Sequence, residues 1–350
     1  MAAAKLRDHS STHVLASRTL DTKTSRFVSI SSGTASLTRE YPLAYPPSEL
    51  EAVKETVMSK IKSIKWIFVG ANQIRTGWRA LLFIMCWIAL YAAVGLPSRH
   101  LLHVDKGREI PFHVAAVGEA LQLIATLGAT WVMSKVERRD IFAYGLSGPR
   151  FLAWCVRGWL IGLAAVSLMI LSLWSLGCWH FDGIHTHGSS ALLYAILWGV
   201  LFSAVAFSEE CTFRGYLFVT LSRGMNAWPA AVCLSILFAA VHLSGSGENW
   251  FGIFALFFTG LMFSFIVWRT QSLAAAFGLH ASWDWAQSYL YGVADSGNRI
   301  HGYLVRSHMS GNELLSGGSV GPEGSILVIP VMLLIAVTVH LTTGPRHSSD

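Results

Sequence analysis

SALLYAILWGVLFSAVAFSEECTFRGYLFVTLS, residues 190–222, decides the fold. From Ser190 to Ser208 it carries no charged side chain, and then Glu209, Glu210 and Arg214 follow within one apolar run. A membrane span needs roughly 20 mostly apolar residues, and this stretch is long enough to tilt or to continue into the cytoplasm. It lacks strand alternation, and lipid offers no partner to an unpaired backbone group, so it must be a helix. Seven further stretches qualify: 79–97, 112–134, 153–177, 227–243, 250–268, 271–291 and 324–343. Hydrophobic residues make up 53% of the 350 and charged ones 13%, with mean hydropathy +0.48. That is about half the charge of an ordinary soluble domain. A water-soluble globule, a disordered chain, a coiled coil and a disulfide scaffold are all excluded. The expected fold is an all-α polytopic membrane helix bundle of about eight transmembrane helices.

Working outward, the net charge of +6 is concentrated in residues 1–79, with 12 Lys or Arg against 6 Asp or Glu. The rest of the chain is balanced, 14 of each sign. A basic flank beside an apolar span suits a cytoplasmic tail drawn to anionic lipid. No nucleic-acid motif accompanies it, so no nucleic-acid partner is expected. No cleavable signal peptide is read at the start, where an apolar h-region is missing. Residues 1–45 read as disordered. In 47–66, Ser48 and Glu51 form a capping-box pattern, and Leu50, Val53, Val57, Ile61 and Ile64 recur at helical spacing. This segment is either an amphipathic helix on the cytoplasmic face or a solvated linker helix. The expected organisation is a polar tail over 1–78, a transmembrane domain over 79–343 and a short tail over 344–350.

Lys and Arg set the orientation. With the N-terminus inside, Arg75, Arg79, Lys135, Arg138, Arg139, Arg150, Arg223, Arg269 and Arg346 fall inside, against Arg99, Lys106, Arg108, Arg299 and Arg306 outside. Both termini are therefore expected in the cytoplasm, in a multi-pass protein of the cell (inner) membrane with the lipid bilayer as partner. The Gly- and Ser-rich outside segment 292–322 reads as a mobile loop. The five cysteines are scattered and form no disulfide framework; Cys178, beside a loop, is the one expected to be exposed.

An ionisable side chain at mid-membrane costs roughly 2.5–3.5 kcal/mol on insertion scales, so each needs a reason. Six crowd into three spans: Glu209, Glu210, Arg214, His242, His280 and Asp284. Glu210 and Arg214, at i and i+4, share a helix face and can pair; His280 and Asp284 repeat that spacing. Glu209 points about 100° away from Glu210 and escapes the pair. One buried Glu–Arg pair is commonly a packing device, and one buried His a hydrogen-bonded filler. Helix packing does not require six such residues. A polar cluster between three helices is expected, with a free carboxylate beside two imidazoles. Desolvation makes such a carboxylate a better proton acceptor for water.

Three motifs stand in order: Glu209-Glu210-Cys211-Thr212-Phe213-Arg214 as EExxxR, Phe238 to His242 as FxxxH, and His280 to Asp284 as HxxxD. Over roughly residues 140–295 this trio resembles the CAAX protease and bacteriocin-processing family (CPBP, also called Abi), whose relatives include type II CAAX prenyl endopeptidases. The resemblance implies an intramembrane glutamic endopeptidase with an eight-helix-type core and no cofactor or metal. By that likeness Glu209 matches the water-activating glutamate, Glu210 and Arg214 the supporting pair, His242 and His280 the two histidines, and Phe238 the start of FxxxH. Asp284 stands where the prenyl endopeptidases carry Asn. Asn donates a hydrogen bond to an oxyanion, whereas an ionised Asp cannot. Asp284 is left to be protonated, to orient His280 or to bind a metal. The partner implied is a peptide or protein substrate at the membrane.

Two other functions compete. Glu209, His242, His280 and Asp284 are an acceptable zinc set for a membrane metallo-hydrolase, although no HExxH motif supports it. A non-catalytic scaffold or transporter would use the charges as a relay, yet no inverted repeat is visible. Glu119, alone in its span, reads as an interior polar contact. The segment Trp179 to His187 holds three histidines near Asp182 and reads as a solvated loop with a weak metal signal. The Gly245 to Gly247 segment reads as a turn near the site.

Overall fold

The computed structural model describes residues 74–98, 109–148, 150–244 and 250–343, with 24–25, 30–31, 34–35, 41–42, 51–52 and 54–57 nearer the N-terminus. The chain divides into two compact units, Met1–Gln73 and Ile74–Asp350. In the first, Thr24–Ser25 pairs antiparallel with Tyr41–Pro42, and Ile30–Ser31 with Thr34–Ala35. Of the helix expected over 47–66, positions 51–52 and 54–57 are helical and the remainder lies outside the described residues. So do most of residues 1–45, Arg99, Lys106, Arg108, Gly245 to Gly247 and the tail 344–350.

Among the described residues of the second unit, eight helices of 12 residues or more overlap the eight apolar stretches one for one. They are α1 (Thr76–Ser98), α2 (Phe112–Glu137), α3 (Phe151–Ser175) and α4 (Gly188–Met225). Then follow α5 (Ala227–Val241), α6 (Trp250–Thr270), α7 (Ala274–Trp285) and α8 (Val328–Thr342). Five of them, α1, α2, α3, α4 and α6, are long and apolar enough to cross a membrane, and α5 and α8 are shorter apolar helices. Leu152, Val200 and Leu341 are 75%, 67% and 76% exposed on α3, α4 and α8. Such side chains suit lipid, not water. Glu119, Glu210, Arg214, His280 and Asp284 are buried instead. With apolar residues outside and charge inside, the unit is an all-α polytopic membrane bundle.

Local breaks set the helix ends. Arg138 turns left-handed after α2 (φ 53°), and Asp140 then accepts the Phe142 N–H to start a short 3-10 turn. Asn226 (φ 71°) separates α4 from α5, and Gln271 (φ 55°) separates α6 from α7. Two helices also change pitch. Within α4 the backbone is π-helical over Cys211–Leu217, directly after Glu209 and Glu210. After α7 it is π-helical over Ala286–Leu290, two residues beyond Asp284. Single π turns inside helices occur frequently at functional sites.

The expected mobile loop after α7 is built otherwise. Val305–Met309 (β2) pairs antiparallel with Trp179–Ile184 (β1), with a bulge between Phe181 and Gly183. The three-histidine segment is thus largely a strand. Its period-2 signal was hidden by that bulge and by a partner over a hundred residues away. Cys178 is buried, not exposed, because the strand pair closes over it and its carbonyl accepts from Ser310 N at 2.9 Å. The glycines of the segment make turns: Gly292 (φ 62°) packs on the Val305 carbonyl and Gly321 (φ 102°) on the Ala294 carbonyl.

Helix α7 lies at the centre, with 10 of its 12 residues buried, packed between α3 and α4. It approaches α3 backbone to backbone. A Cβ on Gly278 would meet the Cys155 carbonyl, one on Gly158 the Ala275 carbonyl, and one on Gly162 the Leu279 carbonyl. Small residues let membrane helices approach this closely. Gly278→Ala is therefore expected to destabilise by about 1–3 kcal/mol through overpacking, although Ala is the better helix former. Gly77→Ala, where a Cβ meets nothing within 4 Å, should not. Thermal unfolding of the two detergent-solubilised variants checks this; equal melting temperatures would mean that the α3–α7 contact yields freely.

Candidate active site

Glu209 and Glu210 close the regular part of α4, and Arg214 lies in its π segment. Arg214 Nη1 donates to Glu210 Oε1 at 3.0 Å, with both side chains 1% exposed. Three phenyl rings surround the guanidinium: Phe238 at 4.5 Å, Phe263 at 5.1 Å and Phe213 at 5.7 Å from ring centre to Cζ. A desolvated cation gains on such faces, up to about 2 kcal/mol each. Nη2 adds a hydrogen bond to the Gly260 carbonyl of α6 at 3.4 Å. The arginine thus ties α4 to α5 and α6.

Glu210 does more than hold Arg214. Its Oε1 also lies 3.1 Å from His280 Nδ1, a contact that i, i+4 spacing along α4 does not reveal. The other imidazole nitrogen, Nε2, lies 3.3 Å from Asp284 Oδ2 and 3.9 Å from Glu209 Oε2. Both nitrogens therefore face carboxylate oxygens, and both can donate only when each carries a proton. Phe263 stacks on the ring at 5.0 Å. His242 caps the end of α5, its Nδ1 2.7 Å from the Phe238 carbonyl and its ring 4.8 Å from the Phe238 ring. That contact leaves Nε2 as the nitrogen available to a ligand.

Glu209, Phe238, His242, His280 and Asp284 line one cavity of about 600 Å³, whereas Glu210 and Arg214 lie behind its wall. Such a volume accommodates an extended stretch of a few residues. Side chains not singled out from the sequence also line it: Gln122 on α2, Thr259 and Phe263 on α6, and Ser288, Asp295, Ser296, Asn298 and Glu323 after α7. Glu119, read as an interior contact, lines it too. Behind Glu209 a polar seam joins α1, α2 and α4. Gln122 Nε2 donates to Ser208 Oγ at 3.1 Å, the hydroxyls of Thr126 and Thr212 are 2.9 Å apart, and Trp87 Nε1 donates to Thr126 Oγ1 at 3.0 Å.

Asp284, Asp295 and Glu323 form the group whose possible ligand atoms lie within 4.8 Å of one another among the described residues. The set of Glu209, His242, His280 and Asp284 considered for zinc does not form such a group there. Burial, and then the charges of Glu323 and Asp284, push the Asp295 carboxyl well above the usual carboxylate range. Ser288 Oγ donates to Asp295 Oδ2 at 3.2 Å, and Ser296 donates from N and from Oγ to Glu323 Oε2, each at 3.2 Å. The histidines around β1 serve the strand pair. His180 stacks on its register partner His308 at 4.7 Å, and Asp182 Oδ2 lies 2.7 Å from His308 Nδ1.

Residues 191–286 match the model of a family described as Rce1-like, type II CAAX prenyl endopeptidase Rce1-like. The matched segment contains all three motifs, Glu209 to Arg214, Phe238 to His242 and His280 to Asp284. The match is consistent with the CPBP resemblance of the sequence and supports a CAAX-type membrane protease. A search of curated proteins returned no match.

Arg214→Ala should leave Glu210, 1% exposed, without its guanidinium partner. Removing one partner of a dry ion pair costs about 3–5 kcal/mol. The expected result is loss of folded protein on size-exclusion chromatography and a lower melting temperature. An unchanged melting temperature for Arg214→Ala would show that the pair contributes nothing to the fold.

Proposed function

We propose that this protein is an intramembrane endopeptidase that hydrolyses peptide bonds of membrane-associated or C-terminal peptide substrates with a water activated by Glu209. The observation that carries the reading is the convergence on one cavity of Glu209, His242, His280 and Asp284 from α4, α5 and α7. Glu209 and His242 hold the water. Glu209 takes its proton as the oxygen attacks the peptide carbonyl, the carbonyl π electrons move onto oxygen, and a tetrahedral intermediate forms. His280, oriented by Glu210 and Asp284, donates toward the oxyanion and then toward the leaving nitrogen. Collapse breaks the C–N bond, and the proton held on Glu209 leaves with the amine. Glu210 and Arg214 fix the π turn that aims Glu209.

With both termini in the cytoplasm, the connections that carry β1 and β2 lie on the opposite side. His242 ends α5 and Asp284 nears the end of α7 toward that side. The substrate approaches from there, or laterally from lipid. Neither a cofactor nor a metal enters this scheme.

Glu209→Gln keeps the size and polarity of the side chain and removes the base. Peptide cleavage by the reconstituted protein should fall by at least about 100-fold, the usual loss with a general base. Normal turnover by this variant would rule out the role given to Glu209.

Prolonged treatment with a strong chelator should leave cleavage intact, since the attacking water is activated by a carboxylate. Asp284→Asn should retain activity within about tenfold, a barrier change of about 1.4 kcal/mol, because the Asn Oδ1 can still accept from His280 Nε2 while its amide can donate to the oxyanion. Chelator-sensitive cleavage restored by zinc, with Asp284→Asn losing that zinc, would replace this mechanism with metal-activated water.

A further inference from the structure

The cavity is one-sided in charge. Glu119, Glu209, Asp284, Asp295 and Glu323 line it, and among the described lining residues there is no Lys or Arg; the other ionisable groups there are His242, His280 and the Tyr91 phenol. Arg214 is spent on Glu210 behind the wall. Glu119 is 7% exposed, and among the described residues its Oε1 has no hydrogen-bond partner. Asp284, Asp295 and Glu323 bring oxygens within 4.8 Å of one another. Low-dielectric walls concentrate such a field on whatever enters.

We infer that the substrate segment bound in this cavity is basic, with a lysine or arginine side chain beside the scissile bond seated between Asp284, Asp295 and Glu323. This rests on the peptidase reading and names its substrate class. Asp284 Oδ2 is 3.3 Å from His280 Nε2, so a cation held by these carboxylates lies next to the proposed reacting centre. An ammonium carries three donors and no acceptor, which suits a group in which Asp295 Oδ2 already accepts from Ser288, Glu323 Oε2 from Ser296, and Asp284 Oδ2 faces His280. A divalent cation is the rival occupant. Carboxylates bind such ions through one or both oxygens, with waters completing the shell, so the test carries calcium and zinc arms. A free carboxylate at the same place would meet three others and be repelled.

The test uses the full chain in nanodiscs, in chelator-containing buffer, and one apolar peptide sequence. A single position, moved along the residues flanking the scissile bond, carries Lys, Gln or Glu. Equilibrium binding is read on the Glu209→Gln protein, which does not consume the peptide. At one position the Lys peptide should bind at least about tenfold more tightly than the Gln peptide, as desolvated charge pairs do across interfaces, and the Glu peptide more weakly than either. Adding Asp295→Asn and Glu323→Gln together should bring the Lys-to-Gln ratio close to one. Should that protein fail to fold, Glu119→Gln must lower the ratio. Equal binding of Lys and Gln peptides at every position overturns the inference. So does stoichiometric binding of calcium or zinc that abolishes the Lys preference, because the carboxylates then belong to a metal ion. Cleavage by the protein with Glu209 intact separates the two readings. Lys-selective binding with no cleavage of any peptide leaves the inference standing and removes the peptidase. Cleavage blind to charge keeps the peptidase and removes the inference.

Discussion

Everything around the site depends on Glu210, a carboxylate shared in a dry interior. Its Oε1 takes Arg214 at 3.0 Å and His280 Nδ1 at 3.1 Å, and so binds α4 to α7 through a single atom. In water such an arrangement would contribute little, because solvent would satisfy each group separately. Inside the bundle Glu210 and Arg214 are each 1% exposed, and separating the three would strand charge in a site where Phe213, Phe238 and Phe263 surround the guanidinium. The constraint is geometric as much as energetic. A side chain that must serve two partners cannot change rotamer, and the residue before it, Glu209, inherits that fixed backbone. Successive residues on α4 point about 100° apart, so Glu209 meets the cavity while Glu210 stays behind it.

The close approach of α7 to α3 is the second half of the same design. Gly158, Gly162 and Gly278 bring the two backbones together, and Ala274, Ala275 and Ala276 keep the start of α7 slim. A thin helix can sit at the centre of the bundle with no lipid-facing side. It can then present His280 and Asp284 to a cavity without exposing either to hydrocarbon. This is why the helix carrying two of the motif residues is short and only moderately apolar, and why length and composition alone do not count it among the crossing helices.

Hydropathy made the bundle legible because lipid allows few solutions: a long apolar run must be a helix, and eight runs became eight helices. The motif residues were legible for a related reason. Charge in a span is costly, so Glu209, Glu210, Arg214, His242, His280 and Asp284 stood out against their apolar neighbours. What could not be read was any contact that joins distant segments outside the spans. Asp295 and Glu323 lie in a Gly- and Ser-rich stretch where an acid is unremarkable. Only the turns at Gly292 and Gly321, with the pairing of β2 on β1, carry them back over the cavity. Glu119 was visible as a lone acid, but its helix gave no hint that Gln122 and Thr126 would meet Ser208 and Thr212 and hold that face of α2 against α4.

The division between helices and loops bears on how such a site can change. The groups proposed to do chemistry stand on α4, α5 and α7, where the shared carboxylate and the glycine contacts leave little freedom. Asp295, Ser296 and Glu323, which line the same cavity, stand on turns held by backbone hydrogen bonds such as Gly297 N to Val320 O at 3.0 Å. Loop residues on a rigid scaffold can be exchanged without disturbing the core beneath them. Hydrolysis and selectivity would then rest on different parts of the chain. The exception is Asp284, which faces His280 on one side and Asp295 and Glu323 on the other. A residue placed between the two tasks couples them, and its exchange for Asn should weaken the hold on a cation while leaving hydrolysis largely in place.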